Sequence, residues 1–418
     1  MITRPFPPRG SLRRDLAVTV ADAAAYSVMV GCGETYLPAF ALALGLGPVA
    51  SGLVASVPIL AGATLQLATP LAIERIGSNR GWVIGCTMVQ AVSFVPLIAW
   101  GLRGHAELWQ LLLAASVYWS AGMAGVPAWN SWMASLVPDR MRTTYFAQRS
   151  RLSQFGVFAG FVVGGLVLQF AEPHGLTLPA FALLFALAAT FRLLSTACLW
   201  ACREPRRPPG IEAGAPRQPL AARVSSAMRS MWGRPSGALV TYLCCFMFGA
   251  HFAGPYFTPY MLREMKFSYH AFMLVFATSF LAKALFMPAI GRLASRIGTV
   301  RLLWIASLAI VPLALLWLPS THVAYLAGVQ VLAGTCWAAY ELAVTVLFFE
   351  ALGDRERTGV VTVYNLGIAV ATVAGAACGG LLLRALGETR DAYAVVFAVS
   401  CLLRLAAVPL LRRVRLAA

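Results

Sequence analysis

One stretch of this chain occurs twice, and that repetition limits what the chain can fold into. Leu136–Gly165 reads LVPDRMRTTYFAQRSRLSQFGVFAGFVVGG, and residues 351–380 read ALGDRERTGVVTVYNLGIAVATVAGAACGG. The two align without a gap. Asp139, Arg140, Arg142 and Thr143 meet Asp354, Arg355, Arg357 and Thr358, and Gly160, Gly164 and Gly165 meet Gly375, Gly379 and Gly380. A charged turn that feeds a glycine-ridged apolar helix is therefore used once in each half. Weaker echoes keep the same order. PLAIERIGSNR at Pro70–Arg80 returns as GRLASRIGTVR at Gly291–Arg301, TYLPAF at Thr35–Phe40 as FTPYM at Phe257–Met261 (pairing Pro38 with Pro259), and Arg192 pairs with Arg404. Two similar halves in parallel order are one of the repeat types built by secondary transporters.

Composition sets the solvent. The chain is 59% hydrophobic and 12% charged over 418 residues, where a soluble chain carries about a quarter charged residues. Apolar runs of about 20 residues, enough to cross a bilayer, recur along its length. The expected fold is all-α and polytopic, with twelve transmembrane helices over roughly 15–42, 48–73, 81–101, 108–137, 148–171, 177–202, 236–262, 269–295, 300–319, 323–351, 358–384 and 391–411. No secretory signal is expected, because the start, MITRPFPPRGSLRR, is polar and basic and the first apolar run is too long. The basic, Pro-rich segment 203–235 reads as a linker between six-helix bundles at 1–202 and 236–418. Within it, Leu220–Trp232 reads either as an amphipathic surface helix or as plain linker.

The net charge of +17 does not point to nucleic acid, since the arginines sit in short loops between spans. They set the orientation instead. With both termini and the even-numbered loops inside, 25 of the 33 basic residues fall on the cytoplasmic side and 5 on the other. The protein is expected in the cell (inner) membrane with both ends cytoplasmic. The nine cysteines are scattered through apolar runs with no metal-ligand spacing, so neither metal nor cofactor is expected.

Twelve helices in two sixes, a basic central linker and this loop pattern resemble the major facilitator superfamily. The most specific match is that family's loop motif G-x-L-A-D-R-x-G-R-R. GRLASRIG at Gly291–Gly298 follows it, with Ser295 in place of the acid, and PLAIERIG at Pro70–Gly77 keeps an acid at Glu74 but begins with Pro70. The resemblance implies a conformational latch built from Glu74, Arg75 and Gly77, with Arg140, Arg142, Gly291, Arg296, Gly298, Arg355 and Arg357. Glu74 would bind Arg355, Arg357 or the amino end of the eleventh helix. The chain departs from the family's drug–proton antiporters: its fourth span holds no basic residue, and its fifth lacks the motif proline.

Ionisable groups within spans are costly and mark candidate sites. Asp22 and Glu34 lie in the first helix, His251 in the seventh, Lys283 in the eighth and Glu341 in the tenth. Asp22 and Glu34 are about 18 Å apart along a helix, too far to share a proton, and either could stay protonated until water reaches it. His251 reads as a titrating group or as a hydrogen-bonded core residue. Lys283 stands mid-span, so it either pairs with Glu341 or binds an anionic group of the substrate. Arg192 and Arg404 read as scaffold. Trp129, Asn130, Trp337 and Tyr340 read either as cavity lining or as packing.

Together these residues describe a secondary active transporter, not an enzyme, that moves a small organic solute by alternating access. The coupling ion is expected to be the proton, with sodium as the alternative, and the chain to act as a monomer in the bilayer. The reading leans to efflux, with uptake of an anionic metabolite as its rival. A receptor or a membrane-embedded enzyme is disfavoured, because no extra soluble domain and no interfacial His/Asp/Glu cluster is evident.

Overall fold

The computed structural model describes residues 9–204, 228–229, 231, 233–350 and 354–414. The surface helix considered at Leu220–Trp232 lies almost wholly outside the described residues, and the side chains of Glu74, Arg140, Arg142, Arg355 and Arg357 lie outside them too.

Twelve helices among the described residues are long and apolar enough to span a bilayer: α1 Leu12–Ala43, α2 Pro48–Gln66, α3 Asn79–Arg103, α4 Leu108–Met133, α5 Gln148–His174, α6 Thr177–Ala201, α7 Ser236–Glu264, α8 Tyr269–Ile297, α9 Thr299–Trp317, α10 Val323–Leu347, α11 Val363–Ala385 and α12 Arg390–Arg413. The described residues contain no strand. Helices satisfy every backbone group internally, which a bilayer core demands.

The helices sort into two packing sets. In the first, α1 packs on α5 and α6, α2 and α3 pack on α4, and α3 packs on α6. In the second, α7 packs on α11 and α12, while α8 and α9 pack on α10. The sets meet where α5 lies on α8 and α2 lies on α11. Each set holds six helices.

The glycine ridge explains the matching crossings. A Cβ on Gly160 would come within 2.5 Å of the Val28 carbonyl, and one on Gly375 within 2.4 Å of the Phe248 carbonyl. α1 and α5 therefore touch backbone to backbone, as do α7 and α11. Tyr36 donates to the Phe161 carbonyl at 2.6 Å and Tyr256 to that of Ala376 at 2.5 Å. Phe161 and Ala376 are themselves equivalent in the repeat, so Tyr36 and Tyr256 are the true counterparts. The Pro38–Pro259 pairing read from the sequence is one residue out of that register.

Three boundaries differ from expectation. The second span ends at Gln66, and Thr69–Ile76 forms a separate short helix. Pro70 has no N–H for the Gln66 carbonyl, which breaks the helix there. The fifth helix begins at Asp139, well before its apolar run. In α1 the α-helix ends at Cys32, and a tight turn at Glu34–Tyr36 precedes Leu37–Ala43; α7 breaks likewise at Gly254–Tyr256.

The halves converge at the end that carries the α1–α2, α5–α6 and α7–α8 loops. There Arg263 donates to the Leu46 carbonyl at 2.8 Å, and the His270 backbone donates to the Gln169 side chain at 3.0 Å. Below them Phe161 of α5 packs among Phe272, Phe276 and Phe280 of α8.

Candidate functional site

Lys283 and Glu341 face each other between α8 and α10. Lys283 Nζ lies 2.6 Å from the Glu341 carboxylate, and the two side chains are 20% and 51% exposed. Both charges are therefore only partly covered by protein.

Asp22 has a cation partner that loop counting conceals. By position Arg149 counts as a cytoplasmic loop residue, yet its guanidinium reaches Asp22 Oδ2 at 3.1 Å. It can do so because the fifth helix starts at Asp139 and carries Arg149 beside α1. The same guanidinium lies 4.3 Å from the centre of the Trp129 ring. Ser195 of α6 donates to Asp22 Oδ1 at 2.7 Å, and Arg192 donates to Ser195 at 3.0 Å while lying against the Tyr26 ring. Asp22 is thus ion-paired. Arg192 thus joins the Asp22 cluster, whereas Arg404 is held by the carbonyls of Ser400 and Ile310.

Glu34 is different. It accepts a hydrogen bond of 2.7 Å from Tyr118 of α4, and no described ion pair involves it. Tyr118 is itself buried beside Met29.

The remaining candidates divide. Asn130 is exposed and His251 half-buried. Tyr340 is 4% exposed and stacks on Phe246, with Trp337 across its edge. Of the two readings of Tyr340, that packing matches the second: α10 turns this face into the core of its own half. Two apolar grooves of about 740 and 570 Å³ lie elsewhere, one bordered by Phe248 and Val370, the other by Trp100 and Trp109; neither contains a charged side chain.

At the loop motifs, Gly77 ends the short helix with φ +73° and Gly298 ends α8 with φ +85°. Both conformations favour glycine. Arg75 and Arg296 are exposed and Gly291 is half-buried. Sequence reasoning missed a nearby carboxylate: Glu204 accepts from the Asn79 backbone at 2.9 Å and from Ser78 at 2.5 Å, at the amino end of α3. It sits just beyond α6, where Arg203 pairs with Asp15 at 3.1 Å. Among the described residues no group of three or more His, Cys, Asp or Glu could hold a metal ion.

Comparison with known proteins agrees with this architecture. The family model described as Major Facilitator Superfamily matches residues 23–257 and 239–417. No curated protein matches. A crystal structure of a mutant of the nucleoside transporter NupG superposes with TM-score 0.73 at 13% identity, covering 95% of this chain and 99% of that one. A bacterial homologue of the human lysosomal transporter Spinster, inward-facing and occupied, gives 0.67 at 16% identity, covering 98% and 95%. At such identities the structures speak for the fold, and the family match speaks for the class: a membrane transporter of small molecules and not an enzyme. The chain belongs to the Major Facilitator Superfamily.

Proposed function

We propose that the protein is a proton-coupled secondary transporter that moves a small organic solute by alternating access. The observation that carries this reading is Glu34, a carboxyl within a span whose described hydrogen-bond partner is a tyrosine hydroxyl. A carboxyl in a span with no described cation partner is a candidate carrier for the transported proton. In this reading residues 1–202 and 236–418 rock about the central space, and 203–235 joins them on the cytoplasmic side of the cell (inner) membrane. The solute route runs past Tyr26, Asn130, His251 and the Lys283–Glu341 pair. Glu74 and the arginines of the loop motifs latch one of the end states. The chain works as a monomer.

Efflux is the direction favoured by the sequence. The two arginines beside Asp22, Arg192 buried and Arg149 half-buried, favour the rival reading, movement of an acidic solute inward together with a proton. Lys283 does not supply the anion site in that reading, because Glu341 occupies it.

The test uses proteoliposomes loaded with a pH-sensitive dye. A panel of nucleosides, hydrophilic carboxylates and amphiphilic cations is added outside. At least one solute is expected to move protons through the wild-type chain and none through Glu34→Gln. Proton movement at the wild-type rate in Glu34→Gln would overturn the assignment. The sign of the proton movement reports the direction of transport.

A further inference from the structure

Asp22, Arg149 and Arg192 meet where α1, α5 and α6 pack, and they carry one negative and two positive charges. Asp22 is fully engaged, by Arg149 on one oxygen and by Ser195 on the other. Arg192 reaches it only through the Ser195 hydroxyl. Arg192 is 7% exposed, and its Nε is buried with no acceptor among the described residues; the same holds for Arg149 Nε. A buried guanidinium with an unfilled donor is costly, and a second carboxylate is what its fork geometry fits best. The rings of Trp129 and Tyr26 cover the faces of the two guanidinium groups. Their edges, where the N–H donors point, are not covered by those rings. The cluster is open on the Arg149 side, where the Arg149 side chain is 18% exposed and Tyr26 is 37% exposed, while both Nε atoms are enclosed. Arg404, the counterpart of Arg192 in the other half, has its Nε and both terminal nitrogens bonded to Ser400, Ile310 and Cys401. The unfilled donors are therefore a property of the first half and not of the repeat.

We infer that Arg149 and Arg192 form a binding site for the carboxylate of a small organic acid, which supplies the second negative charge that the cluster lacks. Naming that acid as the cargo rests on the transport reading above; the site itself does not.

The rival is a purely structural pin that holds α1, α5 and α6 together. Benzoate is the probe, because its ring can lie beside Trp129 and Tyr26; benzamide is its neutral control. Binding is measured calorimetrically to the full chain in nanodiscs of zwitterionic lipid. Benzoate should bind at least about tenfold more tightly than benzamide. Asp22→Asn should tighten benzoate binding, since it removes the competing carboxylate, whereas a structural pin gives no such gain. Arg192→Lys keeps the charge and loses the fork, and should weaken benzoate several-fold. Equal binding of the two probes, no binding of either, or weaker benzoate binding in Asp22→Asn would overturn the site. Proton movement through Glu34 is read separately in liposomes, so failure of the anion site and failure of the coupling are distinguishable.

Discussion

A lysine in the middle of a span has to find an anion, and this rule made the Lys283–Glu341 contact legible before any coordinates. The partner of Asp22 was not legible, because Arg149 lies at the very start of its apolar run and counts as a loop residue by position. Only a helix that continues beyond the apolar run to Asp139, and the Trp129 ring on which the guanidinium rests, bring it inside. Sequence placed Glu34 and Asp22 on equal terms; their neighbours on α4, α5 and α6 separate them. The partial exposure of Lys283 and Glu341 limits what their pairing contributes. A double-mutant cycle of Lys283→Met and Glu341→Gln, read by thermal unfolding in detergent, should give a coupling of about 1 kcal/mol, with the double mutant more stable than the sum of the single losses. A coupling indistinguishable from zero would mean that the two charges are independently hydrated.

Among the elements, the repeat revealed which helices correspond and where glycine allows close approach. It did not reveal register. The equivalence of Tyr36 with Tyr256 emerges only from the carbonyls they reach on α5 and α11. The early end of α2 at Gln66 was hidden because hydropathy stays high through the Pro70 break. Glycines on the ridge and off it should respond oppositely to alanine. Gly160→Ala and Gly375→Ala place a methyl against a backbone carbonyl, and each should cost about 1–3 kcal/mol of stability. Gly85, with nothing within 4 Å of its added Cβ, lies inside α3. Gly85→Ala should stabilise by about 0.5–1 kcal/mol. Loss of stability in all three variants would detach the ridge from the helix crossings.

For the molecule as a whole, the family fold followed from length, hydropathy and repetition, while the closed end did not. Arg263 of one half lies over the carbonyls of Leu46 and Leu42 in the other, at 2.8 and 3.4 Å. An exposed hydrogen bond of this kind contributes about 1 kcal/mol, enough to shift a balanced equilibrium between end states several-fold. Arg263→Ala should therefore lengthen the distance between labels at Leu176 and Leu386, two exposed positions on the α5–α6 and α11–α12 loops. An unchanged distance would leave the phenylalanine contacts of α5 and α8 as sufficient to hold that end shut.

The central claim joins rocking of the two halves to the protonation of Glu34. The most direct measurement uses spin-label distances at both ends in a chain whose nine cysteines have been replaced. Leu176 and Leu386 report the end where the halves converge; Trp200 and Leu293, both exposed, report the other. Between mildly acidic and mildly alkaline pH the two distances should change in opposite senses in the wild-type background, and Glu34→Gln should abolish the change. Distances that move in the same sense, or a reciprocal change that persists undiminished in Glu34→Gln, would contradict the account.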